Sequence, residues 1–62
     1  MNKALKIKIL ISLIESDISI QENLLKDYKI KAKESLYYMG LANDKEDRIK
    51  YLKAYVTQLK KI

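Results

Sequence analysis

The side chains able to do chemistry are few, and their types narrow what that chemistry is. In 62 residues there is no histidine and no cysteine, which removes the commonest zinc ligands, the usual general base and the thiol nucleophile. There is one glycine, Gly40, so no glycine-rich loop exists to cradle a phosphate. Of the eight acids, only Asp17 falls beside an apolar stripe, next to Ile18 and Leu13. No second carboxylate shares that position to shift its pKa. The sequence therefore predicts a non-enzyme, with no catalytic residue, no metal site and no cofactor.

What is left for recognition is charge and tyrosine. The net charge of +5 permits binding to nucleic acid or another anionic surface without demanding it. All the cations but Arg48 are lysine, whereas base and phosphate readout favours arginine. Lys26, Lys29 and Lys33 form a ridge, but Asp27, Glu34, Glu46 and Asp47 are interleaved with the lysines. Glu22 with Lys26, Asp27 with Lys31 and Glu46 with Lys50 have the four-residue spacing of surface helix pairs. Five tyrosines with no phenylalanine or tryptophan suit a protein interface, where a rigid apolar ring carries a polar tip. Tyr37 and Tyr51 lie off the main apolar stripe. With Lys26, Lys29 and Lys33 they are the candidate surface for a protein partner.

The elements that would position these groups are helical. With Ile11 at position a of a heptad, the a and d positions run Ala4, Ile7, Ile11, Ile14, Ile18, Gln21, Leu25, Tyr28, Ala32, Ser35 and Met39, apolar except at Gln21 and Ser35. Leu10, Leu24 and Tyr38 at g, and Leu13 and Ile20 at c, widen the stripe on one side. The spacing predicts one domain over residues 1–62, with a first helix from about 3 to 39, a turn at 40–43 and a second helix from about 44 to 61. Gly40 would close the first helix in a left-handed cap with Leu41 folding back, and Asn43 with Glu46 would cap the second. Ile49, Leu52, Val56 and Leu59 continue the apolar line. The fold class is all-α, an antiparallel helical hairpin.

A second helix of that length covers only about residues 21–39 of the first. Ile7 to Ile20 would lack intrachain cover, and an exposed apolar face of that size marks an interface. The chain is also short for a monomer, since a domain of this size buries only about 60% of its unfolded surface. Hence the expectation of a homodimer with a four-helix core, its interface formed by Ile7, Leu10, Ile11, Ile14, Ile18, Gln21 and Leu25. The alternative is a three-helix monomer broken near residues 16–19, where Ser19 and Glu22 have capping-box spacing.

A further alternative is a strand, because Lys6-Ile7-Lys8-Ile9 alternates with period two. Strand, helix, Gly40 turn and a helix from Asn43 resembles the ribbon-helix-helix DNA-binding family. That resemblance implies paired strands in the major groove, with Lys6 and Lys8 at base edges or phosphates. The longest uncharged run at the N-terminus, Ile9 to Ile14, is too short for a membrane span, and no cleavage pattern follows it. The expected location is cytoplasmic, or the host cytoplasm for a viral protein, and the size suits a viral or mobile-element regulator. The leading functional expectation is a small non-catalytic adaptor or regulator that pairs with itself and binds a protein partner through a helical face. The alternative is a small basic nucleic-acid-binding regulator.

Overall fold

The computed structural model describes residues 2–62. Its helices are α1, Lys3–Lys31, and α2, Leu36–Lys60, packed as an antiparallel hairpin 49 Å long. Asn2 caps α1 by accepting a 2.8 Å hydrogen bond from the Leu5 N–H, and Lys29 and Lys31 in the last turn complement the helix dipole. The hairpin turns at Ala32–Ser35. There the N–H groups of Ala32, Lys33 and Glu34 bond back to Tyr28, Ile30 and Lys31, and Ser35 takes the extended backbone that precedes a helix.

This overturns the expected boundaries. Gly40 does not cap a helix; it sits in α2 with ordinary backbone angles, as do Leu41, Asn43 and Glu46. The reason is a competition of magnitudes. A glycine inside a helix costs about 1 kcal/mol, whereas fully burying one Leu or Ile stabilises by about 1.5–3 kcal/mol. Turning eight residues earlier lengthens α2 to 25 residues, enough to reach the N-terminal half of α1. Ile18, Ile49 and Val56 form the core, with Ile11, Ile14, Leu25 and Leu52 packed against them. Ala42 and Leu59 are also buried. In the half of α1 expected to lack cover, Ile11, Ile14 and Ile18 are covered by the chain's own second helix, while Leu10, Leu13 and Ile20 stay exposed.

The two alternatives fall as well. Helix α1 runs unbroken through residues 16–19, which excludes the three-helix chain. Lys6–Ile9 is helical, so the strand of a ribbon-helix-helix protein is not formed and Lys6 and Lys8 are helix-surface residues. Neither helix is long and apolar enough to cross a membrane.

The position of Gly40 yields a prediction that separates the two turns. It is exposed, and a β-carbon there would meet nothing within 4 Å. Gly40→Ala should stabilise the protein by about 1 kcal/mol, read as a higher melting temperature by circular dichroism at fixed protein concentration. A loss of stability is the outcome a left-handed cap at Gly40 would give.

Candidate interaction surface

The hairpin has two unlike flanks. On one, Glu15, Glu22 and Lys29, spaced by seven along α1, pair with Lys60, Lys53 and Glu46, spaced by seven along α2, at 4.0, 3.7 and 3.0 Å. Glu22 and Glu46 thus reach across the hairpin to these partners. Of the expected four-residue pairs, Asp27–Lys31 is present, at 3.0 Å. Lys29 of the basic ridge is committed to Glu46. Lys26 and Lys33 remain exposed.

The opposite flank is apolar about one cross-helix charge pair, with Asp27, seven residues after Ile20, and Asp44, seven before Tyr51, at its turn-side edge. Asp17 and Arg48 face each other there at 3.8 Å. Seven residues to either side of Asp17 stand Leu10 and Leu24; seven to either side of Arg48 stand Leu41 and Tyr55. Leu13 and Ile20 extend the face on α1, and Tyr51 extends it on α2. They are open to solvent: Leu13 is 64% exposed, Ile20 58% and Tyr51 73%. Helical spacing puts g and c residues of both helices on this side, and the Asp17–Arg48 contact fixes the two rows as neighbours.

Between the flanks runs a polar layer. Lys45 Nζ donates to Gln21 Oε1 at 2.6 Å, and Gln21 Nε2 donates to Asp17 Oδ1 at 3.1 Å. Gln21 is buried, and a buried amide without partners would cost about 1–3 kcal/mol. Its partners are the other polar residue of the seam and the acid at the centre of the apolar face. Lys45, Gln21, Asp17 and Arg48 therefore form one chain of contacts from the seam to the surface.

At the turn end Tyr28 and Tyr38 lie 5.9 Å apart, Tyr37 meets Tyr38 edge-on at 5.4 Å, and the Lys31 ammonium sits 5.1 Å from the Tyr38 ring centre. Hydrogen bonding to Asp27, with the charges of Asp27 and Tyr38, raises the Lys31 pKa above its ordinary value. A raised lysine pKa stabilises the fold below the unfolded value and loses that effect as pH climbs through the folded one.

Of the residues expected at a dimer interface, Ile7, Ile11, Ile14, Ile18, Gln21 and Leu25 line the intrachain seam, half-buried or buried. Leu10 alone belongs to the apolar face. Tyr37 and Tyr51 are exposed as expected. Sequence reasoning missed Ala42, Lys45 and Arg48. The first two were legible by running the second helix's apolar line backwards from Ile49, since Lys45, Ala42 and Tyr38 stand four, seven and eleven residues before it. No group of three or more metal-ligating side chains occurs among the described residues.

The polar layer makes a testable demand. Gln21→Leu strips Lys45 and Asp17 of their shared partner and should cost about 1 kcal/mol. Gln21→Leu with Lys45→Leu should recover wild-type stability or exceed it, because an apolar seam replaces a polar one. Urea melts of the three proteins at one concentration check both.

No family model matches the chain, and neither does any curated protein or solved structure.

Proposed function

We propose that this chain is a non-catalytic helical interaction module that works as a homodimer, two hairpins joining through the Asp17–Arg48 face into a four-helix bundle that presents its outer surface to a protein partner. The observation that carries this reading is the thin interior. Among the described residues five apolar ones are buried and no side chain is fully enclosed, while Leu13, Ile20, Tyr51 and Tyr55 stand exposed on one side. A patch of that kind on a small protein usually marks an interface. Pairing would leave Tyr37, Lys26 and Lys33 outside, available to a partner at or near the turn.

Light scattering over a concentration series tests the first step. Wild-type protein should approach twice the chain mass, and Leu13→Ser with Ile20→Ser should shift it to monomer. Ile9→Ser and Ile30→Ser, at exposed positions away from this face, should leave the mass unchanged.

A second reading has its own observation. Residues 2–10 and 55–62, at the open end of the hairpin, carry Lys3, Lys6, Lys8, Lys60 and Lys61 and no acid, while the other eight cations are matched by eight acids. The whole net charge therefore sits at one end, which supports contact with an anionic partner such as nucleic acid. If so, affinity for duplex DNA should fall linearly with log salt, with a slope of at most about 3–4 for four phosphate contacts, Lys60 being paired with Glu15. Absence of binding at low salt removes this reading.

A further inference from the structure

Resting on the self-association proposed above, we infer that the two hairpins pack with their turns at the same end, each α1 lying across α2 of the partner. Asp17 and Arg48 of both copies then meet at the centre of the interface as a ring of four charges alternating in sign.

The pair has capacity to spare. At 3.8 Å the Arg48 Nη2 to Asp17 Oδ2 contact is longer than the roughly 2.7–2.9 Å of a charge-assisted hydrogen bond. The guanidinium offers five donors, and this contact engages one nitrogen. Both side chains are open to a visitor, 38% and 59% exposed. Asp17 is held in place, because Gln21 donates to Asp17 Oδ1 and Lys45 donates to Gln21, while Arg48, with no other polar partner among the described residues, can turn to a second acid.

The face is complementary to itself. An acid and a base side by side amid leucine, isoleucine and tyrosine become, after a two-fold rotation, a base and an acid. A foreign apolar helix would leave the pair desolvated with nothing added, whereas a second copy supplies each charge with a new opposite neighbour. The hairpin is 49 by 15 Å between Cα extremes, and the apolar rows from Leu10 to Leu24 and from Leu41 to Tyr55 run roughly 21 Å of that length at about 1.5 Å per residue, so the contact is a small one centred on the charge pair.

Two orientations place this face against itself. With the turns at opposite ends, Asp17 lies beside the partner's Asp17 and Arg48 beside the partner's Arg48. With the turns together, every neighbour in the ring is of opposite sign. The turns-together arrangement also brings the two basic open ends close, which opposes it. Those lysines are solvated and spread over several helical turns, so salt with a Debye length of about 8 Å screens them, while charges at the desolvated centre are screened far less. The centre decides.

The experiment has two arms. Asp17→Arg gives a face with two cations and Arg48→Asp a face with two anions. Each alone should weaken self-association about a hundred-fold or more, and a 1:1 mixture should restore a dimer of one chain of each kind, read by light scattering with helicity followed by circular dichroism. Orientation is read in a chain whose face is intact, through a spin label on Lys33→Cys, the sole cysteine it would contain. The label-to-label distance should be about 20 Å, two helix spacings. A dimer whose labels stand near the 49 Å length of the hairpin overturns the orientation while sparing self-association. Dimers unaffected by either charge substitution overturn the ring. A wild-type monomer at every concentration overturns this inference together with the reading beneath it.

Discussion

The structure depends on a single line of contact between two helices. Every described residue that leaves water does so along it: Ile18, Gln21, Ala42, Ile49, Val56 and Leu59 are its buried members, and most of the half-buried ones stand a helical turn away. A lone helical hairpin has no other interior, so the length of that line governs how much apolar surface the fold removes from water. This explains why the turn falls where it does. Nearly equal arms, of 29 and 25 residues, make the line as long as the chain allows.

Polar residues on the line set alignment. Gln21 and Lys45 interrupt two otherwise apolar seams, and each is the other's partner. A displacement of either helix would leave both without one, and unpaired buried polar groups are costly enough to disfavour it. The same contact reaches outward through Asp17, so the group that fixes the inner alignment also fixes the charge pair on the apolar side.

Much of this was legible in the sequence, and the part that was not has a physical cause. The seam of α1 follows from the spacing of Ile7, Ile11, Ile14, Ile18 and Leu25, and Gln21 was recognisable as a seam residue in need of a partner. The helical class and the hairpin followed from the same periodicity. The turn was misplaced because Gly40 is the loudest local signal, while the decisive one is distributed over the whole of α2. Lys45 compounded this by breaking the apolar run that would have extended the second seam backwards through Ala42. With the turn displaced, Leu10, Leu13 and Ile20 merged with the seam isoleucines into one stripe, where the structure divides them between an inner line and an outer face. That division depends on which helix lies across α1, and no periodicity within α1 contains it.

The order of signs along the ion-paired flank has a consequence for how the hairpin finds its alignment. Reading from the open end, α1 presents acid, acid, base, and α2 presents base, base, acid. Slipping one arm by a heptad keeps the apolar residues facing one another, so burial alone tolerates the error. The charges do not: one direction sets Lys29 against Lys53, the other Glu22 against Glu46. Each native pair is exposed and contributes little to stability, at most about 1 kcal/mol. Their value is in alignment: either slip keeps one attractive pair and adds one repulsion, so the native register alone matches all six charges.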